Sequence, residues 1–186
     1  MSESDAEIVL RSTNGDAKAF GELFWRHNGA VHGYLARRAG RDLADDLVAE
    51  VWLRAFRNRS NFDLTYEDAR PWLYGIARNV LHANWRSATS SSSPLPVVIS
   101  DPWPDFDEHL DNVERREHLS SALELLSNEE REVLLLVAWE HMSAASIALM
   151  LNVPASTIRN RLHRARTVMR SDLGTQPDLL HRETEI

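Results

Sequence analysis

Residues 152–166 read "NVPASTIRNRLHRAR", with arginines at 159, 161, 164 and 166, an asparagine at 160, a histidine at 163 and no acid. On a helix, Ile158, Leu162, Ala165 and Met169 recur four, three and four residues apart and mark a buried side. The opposite side then presents Ser156, Asn160, His163, Arg164 and Thr167, flanked by Arg159, Arg166 and Arg170. A guanidinium can fork onto guanine or clamp a phosphate, and an asparagine amide can pair with adenine. Free N–H groups at the start of such a helix also suit a phosphate. Arginines with no acid one turn away repel each other, so this pattern has no internal electrostatic reason to exist. It points outward, to nucleic acid.

No other chemistry is spelled out. Paired-carboxylate, phosphate-loop and nucleophile motifs are missing, so no catalytic residue is expected. His27 and His32 stand five apart, and neither they nor His109 and His118 have ligand partners at useful spacing. Of the eight histidines, only His163 is assigned a role beyond surface or helix packing. The chain has no cysteine, which excludes disulfides and thiolate metal sites. No metal and no cofactor are expected.

The 186 residues carry 28 acids against 21 Lys+Arg, a net charge of −7, but that sum hides a sorted distribution. Residues 1–86 are neutral, with 12 acids and 12 bases. Residues 87–114 hold six acids and no base, whereas 142–171 hold five arginines and no acid. One strongly acidic and one strongly basic segment share a chain of ordinary globular composition. No apolar run is long enough for a membrane span, and "MSESDAEIVL" is not a signal peptide, so a cytoplasmic protein is the simplest reading.

The elements that must position the basic helix are helical too. In "DLADDLVAEVWLRAF" Leu43, Leu47 and Val51 form a stripe widened by Ala44, Val48 and Ala55. In "RPWLYGIARNVLHANWR" Pro71 suits a first turn, and Trp72, Leu73, Ile76 and Val80 follow at helical spacing, with Trp72 read as core. Asp16 is placed to cap a helix through Ala19, Phe20, Leu23 and Phe24. "SATSSSSPLPVVISDPWPDFDEHLD" lacks a helical period and reads as a linker. Beyond it come a helix through "REHLSSALELL", a Ser127–Glu130 capping box opening "EEREVLLLVAWEH", and a short helix from Ser143 to a left-handed stop at Asn152. Pro154 opens the basic helix. Short helix, tight turn and basic helix spell a helix-turn-helix. The expectation is an all-α chain of two small helical domains, 1–86 and 113–173, joined by an acidic linker at 87–112 and followed by a tail at 174–186.

In this order the parts resemble the extracytoplasmic-function sigma factors, the compact two-domain branch of the bacterial sigma family. The resemblance rests on "NGDAKAFGELFWRH", "DLADDLVAEVWLRAF", "RPWLYGIARN" and "LSNEEREVLLLVAWEHMSAASIALMLNVPASTIRNRLHRAR". It implies that residues 1–86 are sigma region 2 and residues 113–173 sigma region 4. The helix Asp42–Phe56 would dock on the clamp of the polymerase's largest subunit through Asp45, Asp46, Leu47, Glu50 and Arg54. The loop at 61–68 would capture a base flipped from the −10 element, with Phe62, Asp63 and Tyr66 at the site and Asn79 and Arg86 on the following helix. The reader of the −35 element would be the basic helix, through Ser156, Thr157, Arg159, Asn160, His163, Arg164 and Arg166.

The implied partners are core RNA polymerase, at its clamp and flap region, promoter DNA, and an anti-sigma factor that sequesters the protein at the membrane; direct membrane insertion is not expected. Ala49, Ala83, Ser87, Ser146 and Ser156 depart from the residues common in that family. A stand-alone helix-turn-helix regulator that binds an operator is the alternative, but it needs a dimerisation or sensor domain that residues 1–86 do not resemble.

Overall fold

The computed structural model describes residues 3–89, 119 and 121–173, and among these every regular element is helical. They form two compact units, the first holding the helices before residue 90 and the second most of those after 120.

The first unit opens with α1 (Asp5–Thr13), a helix the sequence reading did not anticipate. Ser4 and Glu7 form a capping box: the Ser4 N–H donates to Glu7 Oε2 at 2.8 Å and the Glu7 N–H to Ser4 Oγ at 3.3 Å. Helix α2 spans Ala19–Ala39 with Lys18, not Asp16, at its N-cap. The Asp16 carboxylate meets Arg11 at 3.0 Å, and the Asp16 backbone carbonyl accepts the Ala19 N–H, also at 3.0 Å. Gly40, at φ 82, makes the sharp turn into α3 (Arg41–Arg57). An L side chain there would be strained whatever the space around it. A 3-10 turn at Arg59–Asn61 and helix α4 (Arg70–Thr89) complete the unit. Nothing in Ser87–Thr89 breaks a helix, so α4 takes the first residues assigned to the linker. The rest of the linker and the tail at 174–186 lie outside the described residues.

Helices α2, α3 and α4 pack on one another around a core rich in aromatics. Phe20 meets Trp52 at 6.0 Å and Phe56 at 5.3 Å edge-on, and Tyr34 stacks on Tyr74 at 5.0 Å. Such pairs contribute roughly 0.5–1.5 kcal/mol each beyond the area they bury. The Trp52 indole N–H donates to Asn28 Oδ1 at 2.9 Å, which satisfies its one polar atom.

The second unit begins with helical turns at 119 and 121–124, the described part of the expected "REHLSSALELL" helix. Helix α5 (Asn128–Ala138) carries the expected capping box at Ser127 and Glu130. Helix α6 (Ala144–Leu151) starts where Ser143 Oγ accepts the Ser146 N–H at 3.0 Å, and it stops at Asn152 with φ 53. Before it, His141 also takes a left-handed conformation, φ 50. Helix α7 (Ala155–Leu173) follows Pro154, whose carbonyl accepts the Thr157 N–H at 2.9 Å. Helices α5 and α7 pack together, and Leu136, Ile147, Ile158 and Ala165 are fully buried.

Candidate nucleic-acid interface

Burial of Ile158 and Ala165 fixes the rotation of α7, and the expected outer face follows. Ser156, Arg159, Asn160, His163, Arg164, Arg166 and Thr167 are exposed, while Thr157, Leu162 and Met169 are half-buried. The Thr167 hydroxyl donates to the His163 carbonyl at 2.9 Å and so stays within the helix. No carboxylate among the described residues pairs with Arg159, Arg164 or Arg166.

The segment 62–68 is a built loop. Asp63 Oδ1 accepts both the N–H of Thr65 at 3.0 Å and its hydroxyl at 2.7 Å, and the Tyr66 N–H donates to the Asp63 carbonyl at 3.1 Å. The Thr65 N–H and then its hydroxyl hold the Asp63 carboxyl below its ordinary range. Asp63 therefore shapes the turn. Phe62 differs from expectation: it is only 7% exposed and packs edge-on against Trp72 at 5.3 Å. Its ring anchors the loop. The large apolar or aromatic side chains that the loop exposes are Tyr66, at 40%, and Leu64, at 45%. Leu64 was overlooked, although an apolar residue among polar loop neighbours is itself a signal. On α4, Asn79 and Arg86 are exposed and seven residues apart, hence on one side of the helix.

On α3, Asp45 and Asp46 are exposed. Asp45 Oδ1 lies 2.8 Å from His32 Nε2, and Arg54 Nε donates to Glu50 Oε1 at 2.6 Å. Leu47, at 7% exposure, lies in the core beneath this acidic face. The apolar residue that reaches solvent is Leu53, one turn beyond Ala49 on the same face.

A polar cluster that sequence reasoning missed lies at the start of α1. Asp5 is buried, with Oδ2 accepting from His27 Nε2 at 2.7 Å and the Ala69 N–H at 2.8 Å, and Oδ1 from Arg26 at 2.6 Å. Burial pushes this carboxyl up, but the hydrogen bonds from His27, Ala69 and Arg26 outweigh it and hold it below its ordinary value. Beyond the loop, Asp68 is likewise raised by burial, yet held low overall by Arg70, whose Nη2 is 2.7 Å away. His27 had been assigned to surface or packing; it is a buried partner of a carboxylate.

Comparison with known proteins gives these surfaces a family. Residues 23–91 match the family model for sigma-70 region 2, and residues 116–169 that for sigma-70, region 4. The chain is 30% identical over 183 residues to the ECF RNA polymerase sigma-E factor of Haemophilus influenzae, covering 91% of this chain and 95% of that one. With the ECF RNA polymerase sigma factor SigM of Mycobacterium tuberculosis the identity is 33% over 174 residues, covering 92% and 85%. Among solved structures, CnrH in complex with the cytosolic domain of CnrY superposes with a TM-score of 0.65 at 22% identity, covering 92% of this chain and 98% of that one. RpoE in complex with the anti-sigma factor NepR from Bartonella quintana gives 0.61 at 20%, covering 86% and 99%. At such identities these two speak for the fold alone. The curated relatives, matched along nearly their whole length, go further: the chain belongs to the extracytoplasmic-function (ECF) RNA polymerase sigma factors, which direct transcription initiation.

Proposed function

We propose that the two units divide promoter reading between them and that the chain has no catalysis of its own. Residues 1–86 act as region 2 and residues 113–173 as region 4. Helix α7 lies in the major groove of the −35 element with Arg159, Asn160, His163 and Arg164 toward base edges, and Ser156, Thr157 and Arg166 toward the backbone. The loop 62–68 captures a flipped base of the −10 element between Leu64 and Tyr66, on the pedestal made by Phe62 and Asp63. Asn79 and Arg86 track the same strand along α4. Unstacking a base costs a few kcal/mol, which an apolar and aromatic pocket can offset. On α3, Asp45, Asp46, Glu50 and Leu53 form an acidic face with an apolar centre, and it docks on the polymerase clamp.

The linker that follows α4 fits the RNA-exit path, since residues 87–114 hold six acids and no base. Two weak DNA-binding modules gain selectivity once core polymerase fixes their spacing, through its clamp for the first and its flap region for the second. The free protein then binds little DNA, works in the cytoplasm and reaches the nucleoid with polymerase. An anti-sigma factor, as in the RpoE–NepR complex, is the natural partner for the inactive state, and a membrane-anchored one would sequester it there.

The observation that carries this reading is the open face of α7. In vitro transcription with core polymerase on genomic fragments tests it, with start sites mapped. Arg164→Ala should weaken −35 recognition by roughly 1–3 kcal/mol while core affinity is unchanged. Normal transcription by that variant removes the face assignment. A footprint on an operator by the protein without polymerase would favour the stand-alone regulator instead.

A further inference from the structure

Helix α1 lies outside the residues that match the region 2 family model, and none of the surfaces assigned above includes it. Its contacts are nevertheless specific. It packs against α2 and against the 3-10 turn at Arg59–Asn61, which leads directly into the loop 62–68. At the other end of that loop, the Asp5 N–H donates to the Glu67 carbonyl at 3.1 Å and the Asp5 carboxylate accepts the Ala69 N–H at 2.8 Å. One helix therefore braces both ends of the loop. The brace is anchored in turn by His27 and Arg26 on α2, at 2.7 and 2.6 Å from the two carboxylate oxygens.

A loop tip that must catch a base is useful only if its feet stay still, because a misplacement of about 1 Å is enough to disable a site. Loops are the mobile parts of a fold, and this one has a buried carboxylate at its base where solvent would otherwise hydrogen-bond the chain. Resting on the base-capture reading of the loop, we infer that Asp5, held by His27, is a positioning residue for −10 recognition: α1 sets the placement of Leu64 and Tyr66 without touching DNA.

The substitutions differ in what they leave. Asp5→Ala frees Ala69 N–H, His27 and Arg26 together. Asp5→Asn keeps an oxygen for His27 and Ala69 and turns its amide toward Arg26, which is 35% exposed and can move aside.

Holoenzyme assembled from core polymerase and the full chain is offered two duplex libraries, one randomised across the −10 region and one across the −35 region. The bound fragments are sequenced, and core affinity is read separately by anisotropy of the labelled chain. Wild type should prefer one base at the captured position by about tenfold or more. Asp5→Ala should flatten that preference to below about threefold, with the −35 preference and core affinity unchanged, and Asp5→Asn should fall between the two. The double variant Leu64→Ala, Tyr66→Ala serves as the control for the loop itself. If it flattens the −10 preference and Asp5→Ala does not, the positioning role is overturned and the loop reading stands. If neither changes the preference, the loop reading fails and takes the inference with it. If Asp5→Ala and Asp5→Asn lose core affinity in step with base preference, Asp5 merely holds the bundle together, and the inference is likewise overturned.

Discussion

In the first unit Arg11, Arg26, Arg54 and Arg70 each meet a carboxylate within 3.0 Å, whereas in the second Arg159, Arg164 and Arg166 stand exposed on α7 with no described carboxylate beside them. The same side chain has two uses. Where the chain must hold an irregular shape, as around the loop 62–68, guanidinium groups are consumed internally: Arg70 forks onto Asp68, and Arg26 reaches Asp5 through one nitrogen. On the exposed side of α7 the described residues offer those groups no such partner. On the function proposed above, recognition from a loop would require bracing, whereas recognition from a helix would require only that the helix be seated.

The contrast can be broken first at the seat of α7. Ile158 is fully buried, and Ile158→Ala should cost roughly 2–5 kcal/mol through the lost packing and the cavity it leaves. Thermal unfolding followed by circular dichroism should show a lower transition for the second unit only; an equal loss in both would mean that they do not fold as separate bodies.

Acid should instead find the first unit. The folded value of the Asp5 carboxyl is held below its ordinary 3.8. Its contribution to stability is therefore complete above that value and is lost as pH falls through the depressed one. As pH falls below about 4, the first unit of wild type should lose stability more steeply than that of Asp5→Asn. Parallel acid-unfolding curves would show that Asp5 carries no such linkage.

The smallest effect concerns the turn before α6. His141 is exposed and held at φ 50, so His141→Gly should raise the stability of the second unit by about 0.5–1 kcal/mol, read as a higher melting temperature. A decrease would show that the imidazole makes a contact worth more than the strain.

Most of the second unit was legible because its signals are local. A serine and a glutamate three apart, an asparagine able to turn left-handed, and a proline at a helix start each declare a boundary within a few residues. The first unit was less so. Asp5 reaches His27 across 22 positions and Ala69 across 64, and no periodicity connects them. Leu47 teaches something different. The stripe through Leu43, Leu47 and Val51 marked it as core, and only family resemblance placed it at an interface; its burial sides with the stripe. Phe62 shows the opposite case. An aromatic in a polar loop suggested a stacking platform, but the half-buried Trp72 beside it provided a nearer place for the ring.

The bare arginine face of α7 has a consequence for how the protein senses its ionic surroundings. Among the described residues no carboxylate accompanies those guanidinium groups, and DNA carries a condensed cation sheath of its own. Each phosphate that an arginine neutralises steepens the fall of log affinity against log salt by about 0.9. A cell whose internal salt rises under osmotic stress would thereby weaken this subunit's hold on DNA with no regulator involved.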